Sequence, residues 1–211
     1  AARQGSRVPR SLDASVATGI LEGRRRKRHQ HAPTAQRYGD PIDRRRVLVT
    51  LASAALEDAL RHGRVEAAWD AATLAGVIAW YPPGYHPPSI ARLLRTFVPA
   101  GLRLLGIAPT TTILAIPSLL LDGRRWAPRS AWYLQAVAVA AEYRSRGVGT
   151  SLVRSGLDVI EAGHEAAYLR TSHRAVIAWY ASLGFEVVDV TMHEDASHRI
   201  RMRRRAPVRT G

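Results

Sequence analysis

Residues Ala131 to Ala141 read Ala-Trp-Tyr-Leu-Gln-Ala-Val-Ala-Val-Ala-Ala, a nearly unbroken apolar run of the kind found in a central strand covered on both faces. The turn Arg144-Ser145-Arg146-Gly147-Val148-Gly149-Thr150 follows, and then a helical pattern with Gly149, Leu152, Val153, Gly156, Leu157 and Ile160 on one face, stopped by Gly163. A chain that passes from such a strand through a glycine-bearing turn into an amphipathic helix is confined to the α/β architectures. It also leaves unpaired N–H groups at the helix start, where the helix dipole favours negative charge. The turn is therefore expected to hold a phosphate group.

The flanking patterns extend this unit. Ala166 to Thr171 predicts a strand, Arg174 to Leu183 a short helix stopped by Gly184, Phe185 to Val190 a third strand, and Ser197 to Arg204 a terminal edge strand. Upstream, Asp43 is placed to cap a helix carrying Leu48, Leu51, Ala52, Ala55, Leu56, Ala59 and Leu60 at helical spacing up to Gly63. Val65 to Trp69 and Thr73 to Tyr81 then predict an antiparallel hairpin, which makes the sheet mixed. A helix is expected from Pro88 to about Gly106, interrupted by Pro99 and Gly101. Residues 104–121 are uncharged, but Pro109, Pro117 and Thr110-Thr111-Thr112 suit a buried helix or channel wall better than a membrane span.

The net charge of +14 raises the question of nucleic acid, and its distribution answers it. Residues 1–46 carry twelve Lys or Arg against four Asp or Glu, and residues 199–211 carry six Arg and no acid. Thirteen bases and thirteen acids balance over 47–198, so nucleic acid is expected as a partner only through the basic ends. Residues 1–41, which include Arg24-Arg25-Arg26-Lys27-Arg28, show no periodicity and are expected to form a disordered basic tail. Their apolar stretch Val16 to Leu21 precedes the basic cluster, the reverse of a secretory signal, and the start at Ala1 suits a processed or shortened end. The expected folded domain is 42–205, with a second disordered tail at 206–211. No cysteine is present, which excludes thiol catalysis, thiolate metal ligation and a disulfide scaffold. No metal is expected. A cytoplasmic protein that is not bound to a membrane is.

Elimination narrows the phosphate ligand. A dinucleotide fingerprint needs glycine where Leu152 stands, and a nucleotide P-loop needs a lysine, whereas Lys27 is the only lysine in the chain. Arg144 through Gly149 fits Arg/Gln-x-x-Gly-x-Gly/Ala instead, and resembles the pyrophosphate loop of the GNAT superfamily of N-acetyltransferases. Thirty-one residues beyond Gly149, Trp179-Tyr180-Ala181-Ser182-Leu183-Gly184-Phe185 is similar to the aromatic-Tyr-x-x-x-Gly-Phe signature of that superfamily. The resemblance runs from about Val65 to Arg204. It is closest to puromycin acetyltransferase-like proteins, through Ala131-Trp132-Tyr133-Leu134, Leu169-Arg170-Thr171-Ser172 and the acidic His193-Glu194-Asp195 before a basic strand.

The resemblance implies the acyl-CoA N-acyltransferase (GNAT) fold, a mixed central sheet flanked by helices, with acetyl-CoA as acyl donor and a small-molecule amine as acceptor. It places the pantetheine arm along Val137, Ala138 and Val139, where a backbone N–H can stabilise the oxyanion, and the pyrophosphate on Arg144, Ser145, Arg146, Gly147, Val148, Gly149 and Thr150. Tyr180 takes the role of general acid toward the departing thiolate, since a phenol lies near an alkyl thiol in acidity. His173 stands where the superfamily often has an asparagine contacting the cofactor.

Three departures accompany it. Arg170 replaces a common glutamate, which points to a neutral or acidic acceptor, and Val176 replaces an asparagine four residues before the tyrosine. Residues 1–41 offer no convincing counterpart of the superfamily's first strand and first helix. Among Glu142, His164, His173 and His193 no spacing singles out a general base. A degenerate acyl-CoA-binding protein and a basic nucleic-acid-binding protein stand as the alternatives, and a homodimer is a possible assembly.

Overall fold

The computed structural model describes residues 3–7, 41–104, 128–192 and 198–207, with 3–7 and 41–44 described through the backbone alone. Helix α1 (Pro41–His62) opens on a proline, which suits a first helical turn because no amide is needed there. The hairpin β2 (Arg64–Asp70) and β3 (Thr73–Tyr81) turns over Ala71-Ala72. Helix α2 (Ile90–Arg103) starts at Ser89, whose hydroxyl accepts from the Arg92 amide at 3.2 Å, and it continues through Pro99. Strand β4 (Ala131–Val139) leads through a 3-10 turn at Ala141–Tyr143 into α3 (Val148–Ala162) and then β5 (Ala166–Thr171). A second 3-10 turn at Arg174–Val176 runs into the short α4 (Ile177–Ala181), followed by β6 (Glu186–Met192) and β7 (His198–Arg204).

Together with β1 (Arg3–Arg7), these strands form one sheet of order β1-β2-β3-β4-β5-β7-β6 among the described residues. The β4–β5 pair is parallel and α3 makes its crossover; every other pair is antiparallel. This is the mixed sheet that the sequence predicts.

Two corrections concern the edges. Residues 3–7 lie inside the stretch expected to be disordered, yet they pair with β2 as the edge strand β1. Arg-Gln-Gly-Ser-Arg has no apolar alternation, so its pairing rests on main-chain hydrogen bonds and leaves no periodic trace. The rest of 1–40 is outside the described residues. Strand β7, expected at the edge, lies between β5 and β6, and Ile200 and Met202 are fully buried there. Chain order suggested an edge; the return of β7 between its neighbours puts β6 outside instead. The uncharged stretch falls outside the described residues after Leu104. Among the described residues no helix is long and apolar enough to cross a membrane.

Alternation along the strands sends side chains to two cores. Ile78 and Trp80 of β3 join Leu134, Leu152, Val153, Leu157, Ile160, Leu169 and Met202 beneath α3. Val77, Ala79 and Tyr81 join Ala59, Tyr133 and Tyr168 beneath α1. Gly156 explains itself here, because a Cβ at that position would stand 2.2 Å from Nε1 of Trp80. The missing side chain lets α3 settle onto the indole.

Candidate active site

Strands β4 and β5 stay in register for four residues only, from Ala131 opposite Ala166 to Leu134 opposite Leu169. At that point β4 also slips against β3: Trp80 faces Leu134 while Ala79 faces Ala136, leaving Gln135 as an extra residue. A bulge of this kind bends and twists its strand. Beyond it β4 is held by β3 alone, so its edge toward β5 carries main-chain donors and acceptors with no strand beside them. The strand read as central is so only up to Leu134, where its pairing with β5 ends; beyond it the side chains of Gln135 to Val139 are half-buried or exposed, and the strand lines an opening.

The opening is a cleft of about 1150 Å³ that runs through the parted strands from the first turn of α3 to the face of α1. Eleven of the twelve site residues predicted from sequence line it: Val137, Ala138, Val139, Arg144, Ser145, Gly147, Val148, Gly149, Thr150, His173 and Tyr180. Arg146 is the one that does not. Its guanidinium lies over the Tyr143 ring, 5.7 Å from the centroid.

The turn before α3 is bent by two left-handed residues, Ser145 at φ 60° and Gly147 at φ 81°. Left-handed residues alternating with ordinary ones curl the chain so that successive amides face one side, a concavity suited to anions. Gly147 is the N-cap of α3 and has no side chain to cap with. The Ser151 amide makes the first bond of the helix, to the Gly147 carbonyl at 2.9 Å. The amides of Val148, Gly149 and Thr150 accordingly have no acceptor in the helix. A Cβ on Gly147 would meet nothing within 4 Å, so the main chain there is open to the cleft. The exposed Arg144 is tied back by a bond from Nε to the Val139 carbonyl at 3.2 Å.

The second motif is fastened to the first. Trp179 Nε1 donates to Thr150 Oγ1 at 3.0 Å, and a Cβ at Gly149 would touch the same indole at 3.5 Å. This link fixes α4 against the first turn of α3 and holds the next residue, Tyr180, in the cleft. The Tyr180 ring packs edge-on against Phe185 with centroids 5.8 Å apart. Burial, with a smaller contribution from Tyr133, pushes its hydroxyl up to about 12, so it stays protonated at neutral pH. A group in that state gives a proton rather than taking one. His173 is exposed at the rim, where its amide donates to Thr171 Oγ1 at 3.1 Å, and Val176 lines the wall nearby.

Sequence reasoning missed several parts of this arrangement. Nothing in the pattern of β4 marked Gln135 as a bulge. Ala52, Ala55 and Leu56 were expected on a helix face and in fact line the far wall of the cleft. The Trp179–Thr150 bond had a faint signal in the aromatic residue preceding the tyrosine. Among the described lining residues there is no Asp or Glu.

Residues 117–187, roughly a third of the chain, match the family model of the acetyltransferase (GNAT) domain. A structure from Corynebacterium glutamicum described as a histone acetyltransferase HPA2 and related acetyltransferase aligns over 93% of this chain and 92% of its own, at 22% identity and a TM-score of 0.61. The ribosomal-protein-S18-alanine N-acetyltransferase of Escherichia coli aligns over 98% and 96%, at 12% identity and a TM-score of 0.54. An acetyltransferase of the GNAT family from Desulfovibrio desulfuricans aligns over 96% of both chains, at 16% identity and a TM-score of 0.52. The fold is that of the GNAT acyl-CoA N-acyltransferases, and the stretch holding β4, the turn, α3, β5 and Tyr180 is the part similar to the GNAT acetyltransferase domain.

Proposed function

We propose that this chain is an N-acetyltransferase that moves an acetyl group from acetyl-CoA directly to the amine of a small molecule. The observation that carries the reading is the cleft itself, which joins a curl of amides without helical acceptors at one end to an unpaired strand edge and a half-buried tyrosine. When bound, acetyl-CoA supplies an acyl group activated as a thioester. The amides of Ser145 to Thr150 grip the diphosphate, with Arg144 adding charge at the rim. The open edge of Val137 to Val139 receives the pantetheine arm as an added strand and offers an N–H to the thioester carbonyl.

In the transfer the amine nitrogen bonds to the acyl carbon and the carbon–sulfur bond breaks. The Tyr180 hydroxyl gives its proton to the departing sulfur, and water carries away the proton lost by the amine. No enzyme-bound acyl group is needed.

Thiol release from acetyl-CoA, followed with a panel of amines, tests the reading. Tyr180→Phe is expected to keep the affinity for acetyl-CoA and to lower kcat by about 100-fold. An unchanged kcat removes the general acid. The lack of a carboxylate among the described lining residues favours a second reading, a protein that binds acyl-CoA without turnover. Tight binding with no thiol release from any amine selects it.

A further inference from the structure

We propose that Arg170 is a specificity-determining residue that pairs with a carboxylate on the acceptor, so that the acceptor is an apolar amine of amino-acid type. The proposal rests on the acetyltransferase reading and names the substrate class for the same cleft.

Arg170 is the residue of β5 directly after the last one paired with β4, so it stands where the two strands part. Alternation puts its side chain on the same face as Tyr168, the α1 face, opposite to Leu169. It is half-buried and lines the cleft. Its charge acts on His86, Tyr133 and Tyr168, so the guanidinium lies within electrostatic reach of those rings. The turn proposed to hold the diphosphate lies at the start of α3, packed on the opposite face of the sheet, so an acceptor that approaches from the α1 face meets Arg170.

The charge balance around it is uneven. Arg201, opposite Arg170 in the β5–β7 register, is matched by the Asp189 carboxylate across the β6–β7 pair. Arg170 has no carboxylate partner among the described residues. A half-buried guanidinium gains most from a planar anion that it can hold with two parallel bonds, which is the geometry of a carboxylate. The same cation repels an acceptor that carries only ammonium groups, and no acid in the described lining offsets the repulsion. Ala52, Ala55, Leu56, Val77 and Ala79 make the neighbouring wall apolar, which suits a hydrocarbon side chain beside the amine and its carboxylate.

The test compares phenylalanine, phenylalaninamide and spermidine as acceptors for the full chain, with Arg170→Gln and Arg170→Glu beside it. The ratio of kcat/KM for phenylalanine over phenylalaninamide is expected to fall by at least about tenfold in Arg170→Gln. It should fall further in Arg170→Glu, while acetyl-CoA affinity stays unchanged in both. An unchanged ratio, or a preference of the unaltered chain for spermidine, overturns the proposal. Calorimetric binding of N-acetylphenylalanine with CoA present reads the same contact without turnover; equal affinity in the unaltered chain and in Arg170→Gln also overturns it. Failure of the acetyltransferase reading looks different, because then either acetyl-CoA does not bind or no amine, with or without a carboxylate, releases thiol from it.

Discussion

His86 lies flat against Tyr133, with ring centroids 3.5 Å apart, and is stacked less closely on Tyr81. Its Nδ1 is buried without a hydrogen-bond partner among the described residues. Burial, reinforced by the charges of Arg170 and Arg92, lowers its pKa from 6.5 to about 3. The folded chain therefore keeps His86 neutral where the unfolded chain protonates it. Its contribution is complete above pH 6.5 and drains away as the pH falls toward about 3. Urea unfolding should show the native chain losing about 2 kcal/mol more than His86→Phe between pH 7 and pH 4.5. Parallel losses in the two proteins would contradict the assignment. His86 could not have been singled out from sequence: a histidine in a proline-rich loop gives no periodic signal, and its burial depends on β4 supplying Tyr133.

At the scale of elements, the wall of the cleft formed by α1 is held by one carboxylate. Asp58 of α1 accepts from the Tyr81 hydroxyl at 2.5 Å, from Arg92 Nε at 2.8 Å and from the Thr96 hydroxyl at 3.2 Å, joining α1, β3 and α2. Arg92 also covers the Tyr81 ring at 4.6 Å. Burial alone would raise the pKa of Asp58, but the bonds from Arg92, Tyr81 and Thr96 outweigh it and hold the carboxyl below its ordinary value. Asp58→Ala leaves a half-buried guanidinium without its carboxylate and a buried phenol without its acceptor, and is expected to cost about 3 kcal/mol in chemical denaturation. A loss under about 1 kcal/mol would show that the three elements dock without it. The sheet-to-α3 contact has its own polar tie, from the Ser155 hydroxyl to the buried Glu66 at 2.8 Å. None of these ties was visible in sequence, since each joins residues far apart along the chain. The helices and strands themselves were visible, because Val65 to Tyr81 and Ala131 to Thr171 alternate or recur with the periods of their elements.

For the molecule as a whole, the candidate site forms where two local signals meet. Arg144 to Thr150 and Trp179 to Phe185 each read as a turn or a helix stop in sequence; the fold joins them through Trp179 and Thr150 and opens β4 between them. The parting of β4 from β5 was not legible, because it depends on a register slip that changes no residue type. The surplus of positive charge lies at the two ends, and the balanced interior leaves Arg170 as a local cation rather than part of a general basic field. The most direct measurement is calorimetric titration of acetyl-CoA into the full chain and into Gly147→Val. A turn that holds the diphosphate gives micromolar affinity, about 8 kcal/mol, for the former. Binding is expected to be lost in the latter, whose side chain is strained at φ 81° and fills space left open beside the turn. No binding by the unaltered chain, or equal binding by Gly147→Val, would contradict it.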